Sequence, residues 1–176
     1  MRRSARAGAV LAAGIALAIS AATAVPAAAA TSGSETFTGT IVTSGVSGTR
    51  TVITSVIRAQ GVFTGVGRIV EIPGQPGDQT NQDDLVFPGG TMHLVSTPTG
   101  GSFSIDPNSC VATVTVTSTA QITGGTGQFA DASGDFPANT DTGRGVAARN
   151  PDGSCSTTQA PLHEVEMLTS TGTLSF

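Results

Sequence analysis

The chain has 176 residues, of which 8 are basic and 12 acidic, and it contains no tryptophan, tyrosine or lysine. Such a chain offers few cations to release counterions from phosphates and few rings on which bases could stack, which argues against nucleic acid as a partner. The same charge balance argues against binding to anionic membrane surfaces.

Residues 1–30 have the three parts of a secretory signal peptide: a basic start, an apolar segment and a small-residue exit. The apolar segment is rich in alanine and shorter than the roughly 20 residues of a membrane span, which favours a cleaved signal over an anchor. Cleavage is predicted between Ala30 and Thr31. We therefore expect a secreted protein with no membrane attachment after the signal is removed.

The expected mature segment, 31–176, has the size of one domain. Loss of the signal removes three of the eight arginines, which leaves five arginines against twelve acidic residues and a net charge of −7. Cys110 and Cys155 are the only cysteines. Because an exported protein meets an oxidising environment, these two are expected to form a disulfide bond, with two free thiols as the alternative.

Short β-branched runs separated by Gly, Thr and Ser follow residue 30, and no window repeats apolar positions at helical spacing, so an all-β fold is predicted. The clearest strand is 111–122, where threonines alternate with Ala, Val and Ile; this pattern predicts one solvated and one buried face. The predicted strands are 35–43, 49–59, 62–72, 85–87, 91–97, 102–105, 111–122, 144–149 and 163–176.

The polar stretch 73–84 contains no apolar β-branched residue and is predicted to be a loop. Asp78, Asn81, Asp83 and Asp84 lie in it. Because their spacing does not match an EF-hand, we expect solvated side chains here, with a calcium site as the alternative.

Residues 122–134, ITGGTGQFADASG, carry the most specific pattern: it predicts a strand, a Gly-rich tight turn at 124–127, a short strand led by Phe129 and a bend marked by glycine. The pattern resembles the hairpin of allene-oxide-cyclase-like and dirigent-like barrels. The upstream segments 90–94 and 99–102 resemble the hairpin that precedes it in those proteins. The resemblance covers roughly residues 90–136.

The resemblance implies a single closed antiparallel β-barrel of about eight strands with an apolar lumen, and a homo-oligomer, a dimer or trimer, as in some relatives. Plant members steer reactive intermediates with polar lumen residues, and the dirigent type uses tyrosines for this. The chain has no tyrosine, and no catalytic residue of either type matches a position in it. No cofactor is expected.

Three residues are candidates for ligand contact in the lumen. Arg68 shares a strand face with Val66 and Val70, where it would anchor an anionic head group; a bulge at the neighbouring glycines would instead turn it outward. His163 lies at the lumen mouth if the apolar residues on its own face point inward, and His93 is the other histidine. Either could act in acid–base chemistry or simply pack, and their spacing supports no metal site.

The leading functional hypothesis is a secreted barrel that holds a small, mostly apolar molecule in its lumen. An isomerase, a cyclase or a dirigent-like guide is the alternative, and it requires two or three polar groups that converge inside the lumen. An extracellular structural or interaction module is the third hypothesis. The sequence leaves open whether the protein is an enzyme.

Overall fold

The computed structural model describes residues 31–46, 48–75 and 77–176. The predicted signal peptide, and with it Ala30 of the predicted cleavage site, lies outside the described residues. In the described part, no helix has the length and hydropathy needed to cross a membrane. The strands are β1 (Ser32–Ser44), β2 (Thr51–Gly61), β3 (Gly65–Ile72), β4 (Asn81–Phe87), β5 (Gly90–Ile105), β6 (Val111–Gly127), β7 (Ser133–Val146) and β8 (His163–Ser175).

The eight strands form one closed barrel, in which every strand pairs antiparallel with its neighbours in chain order. The pairing of β1 with β8, from Ser32 opposite Ser175 to Ser44 opposite His163, closes the barrel. Closure satisfies the backbone hydrogen bonds that the two outer strands of an open sheet would leave unpaired. The predicted fold class, an all-β single closed antiparallel barrel of about eight strands, is confirmed.

The segment predicted as two strands, 91–97 and 102–105, is one long strand, β5. Its pairing with β6 shifts register between Pro98 and Gly100. A proline lacks the N–H that a regular ladder needs, so it is tolerated at such an irregularity. Glycine and proline therefore mark a bend within the strand rather than its end.

The predicted loop 73–84 is shorter than expected because β4 begins at Asn81. Asn81, Asp83 and Asp84 consequently belong to a strand, and their predicted position in a loop is wrong. Strand alternation sends the side chains of Asp83 and Asp84 to opposite faces of the sheet.

Six of the seven phenylalanines fill one half of the barrel interior. Contacting rings have centroids 5.0 to 6.4 Å apart in tilted or edge-to-face arrangements, which aromatic pairs favour. We call this group the phenylalanine plug; it consists of Phe37, Phe63, Phe87, Phe129, Phe136 and Phe176.

A buried carboxylate lies at the same end of the barrel. Glu35 is only 1% exposed. Its two oxygens accept the backbone N–H groups of Gln60, at 2.7 Å, and Phe63, at 2.9 Å. These bonds replace the water that burial removes, and they hold the β2–β3 turn against β1.

Residues 124–127 form the end of β6, and Phe129 lies in the turn into β7, so the tight turn predicted at 124–127 and the short strand predicted after it are wrong. Gly127 has φ 61°, a left-handed conformation that favours glycine. A methyl group at Gly125 would overlap the carbonyl oxygens of Thr91 and Phe129. The two glycines therefore let β6 lie close to β5 and bring Phe129 into the phenylalanine plug.

Cys110 and Cys155 form the predicted disulfide bond, with their Cα atoms 5.4 Å apart. Cys110 lies in the β5–β6 turn, and Cys155 lies in the connection 147–162 between β7 and β8. Arg149 strengthens the same junction, since its guanidinium donates to the carbonyl oxygen of Asn108. The disulfide thus ties a long connection to the end of the barrel.

Candidate functional site

The half of the barrel interior opposite the phenylalanine plug contains a cavity of about 390 Å³. This volume falls within the roughly 300–1,000 Å³ that is typical of small-molecule sites. Its aliphatic wall consists of Ile41, Ile69, Ile72, Leu94, Val116, Ala120 and Leu168.

Strand alternation explains which side chains reach the cavity. On β6, Val116, Ser118 and Ala120 line it, whereas Thr117 and Thr119 are exposed on the outer surface. The faces predicted for strand 111–122 therefore match the structure: the threonines point outward and the Ala, Val and Ile side chains point inward.

One side of the cavity is polar, and its groups are hydrogen-bonded to one another. The amide nitrogen of Asn139 donates to the carbonyl oxygens of Ser118, at 3.1 Å, and Phe136, at 3.0 Å. The hydroxyl of Ser170 donates to the side-chain oxygen of Asn139. This network fixes the amide of Asn139 and leaves the opposite, aliphatic side for an apolar ligand.

Carboxyl groups from four strands surround the opening of the cavity. Each lies on the inward face of its strand, the same face as the apolar side chains deeper in the barrel; on β8, for example, Glu166 and Leu168 both point inward. We call this group the acidic mouth; it consists of Glu71 on β3, Asp83 on β4, Asp141 on β7, and Glu164 and Glu166 on β8.

Arg50, just before β2, is the basic residue paired with the acidic mouth. Its guanidinium donates two hydrogen bonds to the carboxylate of Glu71, one of them 2.8 Å long, and a third to Glu166. The nearest oxygen of Glu164 is 3.9 Å from its Nε atom. The hydrogen bonds with Glu71 are the largest cause that raises the pKa of Arg50, so this side chain stays charged and bridges β3 and β8.

Asp83 and Asp141 are the two carboxyls of the acidic mouth without such a bridge. Burial is the main cause that raises the pKa of each carboxyl from 3.8 to about 6. Repulsion from neighbouring carboxylates raises it further; the strongest repulsion comes from Glu71 for Asp83 and from Glu166 for Asp141. Burial also raises the pKa of Glu164. Oδ1 of Asp141 is shielded from solvent and has no hydrogen-bond partner among the described residues.

The acidic mouth can perform two kinds of chemistry. Carboxyl groups with a pKa near neutrality can donate and accept protons, and such groups in a cavity are typical of functional sites. In their ionised form they attract a cation. Among the residues that the structure describes, no group of three or more His, Cys, Asp or Glu side chains has a geometry that could hold a metal ion.

Arg68 does not line the cavity: of the two orientations considered for this lumen candidate, the structure has the outward one. It is exposed on the outer face of β3. The inward face of that strand is formed by Gly67, Ile69 and Glu71, and Ile69 is 4% exposed. The outward orientation of Arg68 follows from regular strand alternation, because the pairing of β3 with its neighbours shows no register shift.

The two histidines are also outside the cavity, which corrects their predicted lumen positions. Nδ1 of His93 on β5 lies 3.0 Å from Oδ1 of Asp84, its partner on β4. His163 is exposed at the start of β8. Met167, on the same face as His163, is 58% exposed, while Glu166 points into the cavity.

The sequence prediction missed the acidic mouth and Arg50. A signal for the carboxyls was present on β8, where Glu164 and Glu166 have the same alternation as Leu168 and Leu174. Leu168, Leu174 and Phe176 on that face outnumber Val165 and Met167 on the other, and they indicate which side is buried. The contact of Arg50 depends on the path of a loop and has no comparable sequence signal.

Comparisons with models of known families, with characterised proteins and with solved structures found no match to this chain.

Proposed function

We propose that this protein is exported and that its barrel binds a small, mostly apolar molecule. The cavity carries the proposal: about 390 Å³ of space beside an aliphatic wall that includes Ile41, Ile69 and Leu168. Moving apolar surface from water to such a wall contributes about 25 cal/mol per Å² buried. The cavity opens to solvent at the acidic mouth.

Export is supported by the signal-like residues 1–30, and the disulfide bond is compatible with an extracellular location. We further propose kinship with the allene-oxide-cyclase-like and dirigent-like barrels. The Gly-Gly-Thr-Gly segment and the closed eight-stranded topology support this kinship.

Native mass spectrometry of the protein secreted into culture medium tests export, signal cleavage and oligomeric state together. We expect a chain that begins at Thr31, with one disulfide and a retained small molecule. A chain that stays in the cells with its first 30 residues attached would contradict export.

Ligand binding is tested with octanol as an apolar probe and with NMR of the methyl groups. We expect saturable shifts at Ile41, Ile69 and Leu168. Ser96→Leu places an apolar side chain into the cavity and should weaken binding about tenfold. Thr97→Leu, the next residue on β5, points outward and should leave binding unchanged. Absence of saturable shifts at the cavity methyls would contradict the proposal.

A second candidate function is an isomerase or cyclase activity on the bound molecule. The convergence of Asp83 and Asp141 in one cavity, each with a pKa of about 6, favours it, because both can exchange protons near neutral pH. The test is incorporation of deuterium from solvent next to the carbonyl of 2-octanone. The wild type should accelerate this exchange more than the double variant Asp83→Asn/Asp141→Asn. Equal rates would rule out proton abstraction by these groups.

A further inference from the structure

The acidic mouth has more negative charge than its arginine can balance. Five carboxyl groups face one guanidinium, and the ion pairs of Arg50 go to Glu71, Glu164 and Glu166. Among the described residues, no ion pair reaches Asp83 or Asp141. These two carboxyls therefore lie together in one cavity without a cation of the protein's own.

The other arginines of the barrel cannot supply the missing charge. Arg58, Arg68 and Arg144 are exposed residues of β2, β3 and β7. Each alternates with inward-pointing residues, so its side chain lies on the outer face of the sheet. Arg149 donates to backbone carbonyl oxygens beside the disulfide.

The position of Asp83 and Asp141 relative to the wall defines the shape of a suitable ligand. Both carboxyls line the same cavity as Ile41, Ile69 and Leu168. On β4, Asp83 comes before the buried Leu85, with both side chains pointing inward, so the charge lies nearer the opening than the apolar interior. A ligand that fits both features has a charged group at one end and an apolar body at the other.

We infer that the cavity binds organic amines: an apolar body packs against the aliphatic wall while a protonated nitrogen lies between Asp83 and Asp141. The inference rests on the proposed ligand-binding function and specifies its ligand class. An ammonium group would donate to the unpartnered Oδ1 of Asp141 and would offset the unbalanced charge at the mouth. A carboxylate ligand would meet repulsion from the same groups.

Binding should also depend on pH. The groups that face the nitrogen are Glu71, Asp83, Asp141, Glu164 and Glu166, together with the guanidinium before β2. Protonation of Asp83 and Asp141, which have pKa values of about 6, removes the charge that attracts the amine. The affinity for an amine should therefore fall as the pH is lowered through about 6, whereas the affinity for a neutral ligand should not.

Three probes of equal length test the inference: octylamine, octanol and octanoate, titrated calorimetrically into the secreted protein in an amine-free buffer. We expect octylamine to bind about tenfold or more tightly than octanol, with octanoate weakest. Asp83→Asn and Asp141→Asn should each remove most of the preference for octylamine, measured as the ratio of the octylamine and octanol affinities in the same variant. Asp131→Asn, an exposed aspartate in the β6–β7 turn, is the matched control and should have no effect.

The possible failures are distinguishable. Equal affinities for the three probes, or tighter binding of octanoate, would overturn the amine inference and leave the proposed ligand binding intact. Absence of binding by all three would overturn the proposed function itself. An amine preference that survives both asparagine substitutions would also overturn the inference, because the nitrogen would then lie elsewhere.

Discussion

Replacing Asp83 by asparagine should stabilise the protein, and it should do so only towards neutral and alkaline pH. Burial raises the pKa of this carboxyl from 3.8 to about 6, so its ionisation opposes folding. At 1.36 kcal/mol per pKa unit, this rise corresponds to about 3 kcal/mol. Since the side chain keeps part of its contact with solvent, we expect a gain of about 2 kcal/mol in the free energy of unfolding near pH 8.

The sign of the effect follows from the two protonation equilibria of Asp83. At a pH below 3.8 the carboxyl is neutral in both the folded and the unfolded protein, and it contributes nothing. As the pH rises from 3.8 to about 6, the carboxyl ionises in the unfolded chain before it does so in the folded protein, and the folded state loses stability until both are ionised. The difference between Asp83→Asn and the wild type should therefore grow between about pH 4 and about pH 7 and stay constant above that range.

Urea denaturation at a series of pH values measures this difference. The chain contains neither tryptophan nor tyrosine, so far-ultraviolet circular dichroism is the suitable signal. Asp131→Asn, an exposed substitution, should change the free energy of unfolding by less than about 0.5 kcal/mol at every pH. A gain for Asp83→Asn that does not vary with pH, or a loss of stability near pH 8, would refute the assignment of a buried, destabilising carboxylate.

Three further predictions concern other parts of the barrel. The double variant Cys110→Ala/Cys155→Ala should lose roughly 4 kcal/mol of unfolding free energy in urea titrations, and the reduced wild type should be as unstable as this variant. Equal stability of the oxidised and reduced wild type would contradict a stabilising disulfide. Phe136→Ala removes a fully buried ring of the phenylalanine plug and should lower the free energy of unfolding by about 3–5 kcal/mol, whereas Phe103→Ala, at a 58% exposed side chain, should lower it little. Similar losses for the two variants would argue against the plug. Glu35→Gln weakens two charge-assisted hydrogen bonds to backbone N–H groups, so it should lower the free energy of unfolding by roughly 1.5–3 kcal/mol and speed hydrogen exchange at the amides of Gln60 and Phe63. Unchanged exchange at these amides would show that the bonds are not formed.

The all-β class could be predicted because its signals are local: alternation along residues 111–122 and the absence of helical spacing after residue 30 are properties of short segments. The closed eight-stranded barrel was predicted from the resemblance of residues 90–136 to known barrels and not from these patterns. Continuity of β5 was harder to predict, since Pro98 and Gly100 carry turn signals. Only the pairing with β6 on both sides of Pro98 and Gly100 shows that the strand continues through them.

Which face of each strand points inward could not be predicted on β3. Val66 and Val70 are exposed, while Ile69 is buried between them. Valine is favoured in strands on either face, so its presence does not identify the buried one. Pairing of Ile69 with Leu85 on β4 decides the orientation, and that contact joins residues distant in sequence.

Apart from the two glutamates of β8, the candidate site could not be predicted, for a related reason. Its carboxyls come from four strands, and only barrel closure brings Glu71, Asp83 and Asp141 around one opening. A single carboxyl in a strand is usually a solvated side chain. Their role becomes visible only from the burial that the assembled barrel imposes on them.

Because the phenylalanine plug fills the far end of the interior, the barrel is a cup rather than a tube. A molecule bound as proposed would have to leave by the opening through which it entered, and it could not pass to the other side. The apolar end of a long molecule would have to enter first, and its polar end would stay at the rim within reach of solvent. Such a dead end would fix the direction of the bound molecule, and it suits storage, delivery or chemistry at the outermost atoms better than conduction.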